Sequence, residues 1–142
     1  MRFLAICSLL VSLAPTTFSS QGTQASLLEP WDIKEVTTFH GMLHHLGDEY
    51  SETENKFVLT SASGELKQAF IRLQNATLPP NFYGGEKAYQ AFIATIDSVF
   101  QIYLKACSSG NSDAIVKSFY DIDDTFEAAV PVLRKAMNSK QQ

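Results

Sequence analysis

Four stretches of the chain set apolar side chains at alternating steps of three and four, the repeat that gathers them on one face of a helix. In the first, Val36, Phe39, Leu43, Leu46 and Tyr50 form the stripe, which predicts a helix from about Pro30 to Asp48. Pro30 suits its first turn, where the missing amide donor would have no partner anyway. The second stripe is Leu59, Ala62, Leu66, Ala69, Leu73 and Ala76. It predicts a helix opened by Ser51-Glu52-Thr53-Glu54, which has the form of a capping box. Projected at about 100° per residue, the second stripe is rotated about 135° from the first. One straight helix cannot face two ways, so a turn or sharp kink is expected between Tyr50 and Asn55.

Thr77 to Gly85 breaks the pattern: Pro79-Pro80 ends the helix and Gly84-Gly85 permits a tight return. A third helix is predicted from about Glu86 to Ser108, with Tyr89, Phe92, Ile96, Val99, Tyr103 and Ala106 as its stripe. Ile93, Phe100 and Cys107 widen that stripe and mark this helix as the most buried. Gly110 then suits a C-terminal cap, and Asn111 or Ser112 the next N-cap. The last helix runs to about Ala136 on Ile115, Phe119, Ile122, Phe126, Ala129, Leu133 and Ala136. Pro131 falls inside it, removes one backbone hydrogen bond and should kink it. No stretch sustains a period of two, so no sheet is expected. Short connections make neighbouring helices antiparallel, and the expected fold is all-α, an up-down-up-down four-helix bundle.

The N-terminus does not belong to this pattern. Arg2 is followed by an apolar run from Phe3 to Ala14, then by Pro15 and small polar residues, the layout of a secretory signal peptide. The expected organisation is a leader over 1–25 and one bundle domain over 26–142, with the protein periplasmic or secreted. Ser19-Ser20-Gln21 competes with Thr23-Gln24-Ala25 as the cleavage point. The run is too short for a permanent membrane span, and no later stretch is long enough. Cys7 lies inside the leader, which leaves Cys107 without an intrachain partner and reads it as a small buried apolar residue.

Composition narrows the function classes. The 142 residues carry a net charge of −4 and no basic block, which speaks against nucleic acid as a partner. No nucleophile-base-acid set, phosphate loop or dinucleotide fingerprint is present, so an enzyme is not expected. Asn75-Ala76-Thr77 is an N-glycosylation sequon.

Chemistry converges on the first helix. Its stretch Phe39-His40-Gly41-Met42-Leu43-His44-His45-Leu46-Gly47-Asp48 holds all 3 histidines of the chain. His40, His44 and Asp48 recur every four residues and share one stripe. His40 lies about 65° from the centre of the apolar face and His44 about 105°, whereas His45 points outward. Two histidines at i and i+4 can chelate one ion. The last helix offers a matching pair at its middle, Asp123 and Glu127, also i and i+4. Two imidazoles facing two carboxylates suit zinc, copper(II), iron(II) or manganese. The candidate site is therefore His40, His44, Asp123 and Glu127, with Asp48 as an outer ligand. The bland alternative is a pair of half-exposed border histidines and a solvated acidic face.

An exported bundle of this length resembles the periplasmic bundle cytochromes of the c-prime and b types, in architecture alone. The resemblance would imply haem. The c-prime type needs a Cys-x-x-Cys-His attachment that this chain lacks. The b type pairs a methionine on the first helix, where Met42 stands, with a histidine on the last, where there is none. A second likeness is to small exported helical proteins with histidines on the first helix and a Leu-His-Asp-x-Phe-His type segment on the last. Ile122 to Glu127 is similar, with acids in place of histidines. The sequence thus predicts a small exported binding protein holding a transition metal between its first and last helices. The alternatives are a cofactor-free protein-interaction module and, third, a haem bundle.

Overall fold

The computed structural model describes residues 28–80, 82 and 85–139. The leader, its cleavage point and Gly84 lie outside the described residues. What is described is helical, with no strand among the described residues. A short 3-10 turn, Pro30–Asp32, precedes α1 (Lys34–Thr53). Then follow α2 (Lys56–Ser61), α3 (Ser63–Gln74), α4 (Gly85–Ser109) and α5 (Ser112–Met137). Helix α1 packs on α3 and α5, and α4 packs on the same two, so the four longer helices surround one core.

Most residues of the stripes read from the sequence are buried, while Tyr50, Ala62, Ala76, Val99 and Cys107 are half-buried. Val36, Phe39, Leu43 and Leu46 of α1 are buried, as are Leu59, Leu66, Ala69 and Leu73 of the second stripe. Helix α4 buries seven residues of 25 and α5 eight of 26, so α4 is not the more buried of the two. Around Pro131 the buried register of α5 is Val130, Leu133 and Met137. Ala129 and Ala136, expected in the core, are half-buried instead. Helix α5 is continuous through Pro131.

The boundaries differ from expectation where backbone chemistry overrides periodicity. Pro30 opens the 3-10 turn rather than α1; Glu29 and Asp32 cap that turn reciprocally. Helix α1 runs on to Thr53, so Ser51-Glu52-Thr53 forms its last turn instead of opening the next helix. The expected turn falls at Glu54, which takes a left-handed conformation (φ 52°) while its amide donates to the Tyr50 carbonyl. Asn55 is the real cap of α2, its Oδ1 accepting from the Phe57 amide. The second predicted helix is two, broken at Ala62. Gly110 (φ 70°) closes α4 and Asn111 Oδ1 caps α5 through the Ala114 amide, as expected.

Two tyrosines of α4 tie down helix ends inside the core. Tyr89 donates its hydroxyl to the Leu73 carbonyl at 2.7 Å, and Tyr103 donates to the Leu59 carbonyl at 2.5 Å. Carbonyls in the last turn of a helix lack a regular intrahelical partner; the Tyr103 bond supplies one to Leu59, and the Tyr89 bond supplements the long contact of the Ala76 amide with Leu73. Burial pushes both phenols well above their ordinary range.

At mid-height each of the four longer helices contributes one phenylalanine to an aromatic layer: Phe39, Phe70, Phe100 and Phe126. Phe39 lies 5.7 Å from Phe70, 6.1 Å from Phe100 and 5.8 Å from Phe126, ring centre to ring centre. Phe70 and Phe100 close the set at 4.7 Å. These separations lie in the favourable range for aromatic pairs. The histidines stand on the edge of this layer.

Candidate metal centre

His40 and His44 project from α1 one turn apart, their ring centres separated by 4.2 Å. Helix α5 brings Glu127 to them. His40 Nε2 lies 2.5 Å from Glu127 Oε1, and His44 Nε2 lies 3.8 Å from the same oxygen. Potential ligand atoms of His40, His44 and Glu127 all lie within 4.8 Å of one another. The residues are 87 positions apart in sequence across the His40–Glu127 contact, so only the packing of α1 on α5 assembles the group.

The donor set fits a divalent transition metal. Zinc binds imidazole nitrogen and carboxylate oxygen at about 2.0–2.2 Å, which puts neighbouring ligand atoms about 3.3 Å apart. The His44–Glu127 separation is near that value. The His40–Glu127 hydrogen bond is shorter and must open slightly, by rotation of an exposed glutamate side chain. His44 and Glu127 are about half exposed, with side-chain exposures of 54% and 52%, whereas His40 retains 23%. The group therefore has one anchored donor and two that face solvent.

Asp123 stands beside this group without joining it. Its Oδ1 is buried and has no hydrogen-bond partner. Burial pushes its carboxyl above the usual range, the nearby His44 and His40 oppose that, and Glu127 and Asp124 add to it. Asp48, expected as an outer ligand, is exposed and lies outside the cluster, as does the exposed His45.

Trp31 joins the site without any signal in the apolar pattern. Its ring centre lies 4.8 Å from that of His40 and 6.3 Å from that of Phe126. Phe126 in turn stacks on His40 at 5.3 Å with only 11° between the planes. The three rings form a triangle that fixes the His40 imidazole and walls its inner side from water. Trp31 precedes α1, so no helical periodicity could have placed it there. It is held by its own segment: its carbonyl accepts from the Thr37 hydroxyl at 2.8 Å. Glu29 pairs with Arg134 at 2.6 Å, and Asn138 binds both the amide and the carbonyl of Leu28, at 3.1 and 2.9 Å.

A separate groove runs between α4 and α5. It encloses about 490 Å³ and is lined mainly by small apolar residues, among them Ala88, Ala91, Ala128 and Ala136, with Phe92 at its floor and Asp124 at its edge. Among the described residues no helix is long and apolar enough to cross a membrane. No family model, curated protein or solved structure matches the chain.

Proposed function

We propose that this is an exported binding protein, folded as an up-down-up-down antiparallel bundle, that holds a divalent transition metal on His40, His44 and Glu127. The observation that carries this reading is the convergence of two imidazoles and one carboxylate from α1 and α5 within 4.8 Å. Structural zinc sites enclose the ion in four protein ligands; here three are in hand and two of them face solvent, which suits an ion that is taken up and passed on. Zinc and copper(II) are the first choices for imidazole-rich ligands, with iron(II) after them. The unpartnered Oδ1 of Asp123, on the same side of α5, is the nearest candidate for a fourth ligand. Bound there, the metal would contribute a Lewis-acidic centre and a cross-link between α1 and α5. The export part of the reading rests on the charge and apolar pattern of residues 1–25.

Calorimetric titration of the metal-stripped mature protein with zinc and with copper(II) tests the reading. One ion per chain should bind, with at least a tenfold loss in Glu127→Gln and loss of specific binding in the His40→Ala, His44→Ala double variant. Absence of binding, or binding unchanged in the double variant, overturns it. The second reading is then a cofactor-free interaction module, and the open groove between α4 and α5 is the observation in its favour.

A further inference from the structure

We infer that Asn75 is an acceptor for N-linked glycosylation when the chain passes through a eukaryotic secretory lumen; this rests on the export reading, not on the metal. Asn75-Ala76-Thr77 is the only Asn-x-Ser/Thr sequence in the chain, and neither Ala76 nor the following Leu78 is proline. The fold puts this sequence where a bulky group can stay. Helix α3 stops at Gln74, and Asn75 closes it with φ −108° and ψ 20°. Thr77 to Pro80 continue as irregular chain, and Pro79-Pro80 keep the segment from re-entering a helix. Both functional side chains, Asn75 and Thr77, are exposed.

In the folded protein the Asn75 Nδ2 donates to the Ile71 carbonyl at 2.7 Å, a bond that occupies one of its two amide hydrogens. A glycosylated amide retains one N–H, so this contact survives the modification. Ile71 itself is one turn back on the same face and is 39% exposed. A shallow polar depression bordered by Asn75 itself, with Gln74, Glu86 and Gln90 around it, gives the first sugar a seat beside the acceptor. Helix α3 contributes no residue to the His40, His44 and Glu127 group, so a glycan at its end leaves that site open.

The donor is a lipid-pyrophosphate-linked oligosaccharide. The Asn75 amide nitrogen attacks the anomeric carbon, an N–C bond forms, the C–O bond to phosphate breaks, and the lipid pyrophosphate leaves with the electron pair. The amide gives up one proton and no redox partner is needed. The test is secretion of the full chain, with its own leader, from insect or yeast cells, followed by peptide mass mapping before and after peptide-N-glycosidase. Secreted wild type should carry glycan on Asn75, Thr77→Ser should retain it, and Asn75→Gln and Thr77→Ala should lose it. Secreted wild type with an unmodified Asn75 overturns the inference. A chain that stays inside the cell overturns the export reading instead. The same chain behind a foreign leader then decides the acceptor: glycan on Asn75 upholds it and a bare Asn75 overturns it.

Discussion

His40 shows how one side chain can be prepared for a ligand by its neighbours. Its ring lies against Trp31 and Phe126, its Nε2 meets Glu127, and His44 is one turn away. The imidazole would lose little freedom on taking up an ion, because packing has already removed that freedom. Asp123 is the opposite case, a carboxylate whose buried oxygen has no partner. Its folded-state carboxyl titrates above the unfolded one, chiefly through burial. A raised carboxyl costs nothing while both states are protonated, and destabilises the fold progressively as pH rises from the unfolded value through the folded one. In metal-free protein, Asp123→Asn should therefore raise the melting temperature at neutral pH. The gain should be up to about 1 kcal/mol once solvent screening is allowed for, and should vanish below about pH 4. Thermal unfolding at both pH values checks this; a lower melting temperature at pH 7 would show that the carboxylate is satisfied in solution.

The break between α1 and α2 separates what periodicity can tell from what it cannot. The change of stripe phase required a turn between Tyr50 and Asn55, and the turn is at Glu54. Its local chemistry was misread because Ser51-Glu52-Thr53-Glu54 has the residues of a start signal, yet it stands where the chain needs a stop. The core-facing residues of α1 were legible for a related reason: each side of the helix sees either core or water. Phe70 was missed because Ala69, beside it, fits the same spacing, and only the facing Phe39 and Phe100 reveal which of the two carries the layer. Glu127 was legible through its i, i+4 relation to Asp123, whereas Asp48 is exposed and stays out of the group although α5 still accompanies α1 there, Tyr120 reaching Tyr50 and Ser51. The Glu54 stop has a measurable cost. A left-handed residue with a Cβ costs about 1–2 kcal/mol, and glycine's extra chain entropy costs about 0.5–1 kcal/mol. Glu54→Gly should therefore stabilise the protein by about 0.5–1 kcal/mol. Urea unfolding with an unchanged m value would bear that out, and a loss of stability would mean that the turn is not left-handed in solution.

The segment before α1 is clasped to the end of α5. Asn138, just past α5, binds the amide and carbonyl of Leu28, and Arg134 pairs with Glu29. The Leu28–Asp32 segment is thereby held against α5, and it delivers Trp31 to His40. This segment adds Leu28 and Trp31 to one edge of the core, whereas the phenylalanine layer and the Tyr89 and Tyr103 bonds lie within α1 to α5. Local opening of the segment and global unfolding are therefore separate events, the first involving far fewer buried contacts. Asn138→Ala removes the clasp on Leu28 and leaves the core intact. The melting temperature should fall by no more than a few degrees, as expected for the loss of about 1 kcal/mol in a domain of this size. The amides of Asp32 and Ile33, which bond back to Glu29 and Pro30 carbonyls, should exchange with solvent at least tenfold faster. Amides in the middle of α4 should be unchanged. Because the chain has a single tryptophan, emission should shift to longer wavelength in the same variant as Trp31 leaves His40 for water. If the core amides accelerate together with those of the segment, the ends and the core form one cooperative unit, and the site is only as stable as the fold.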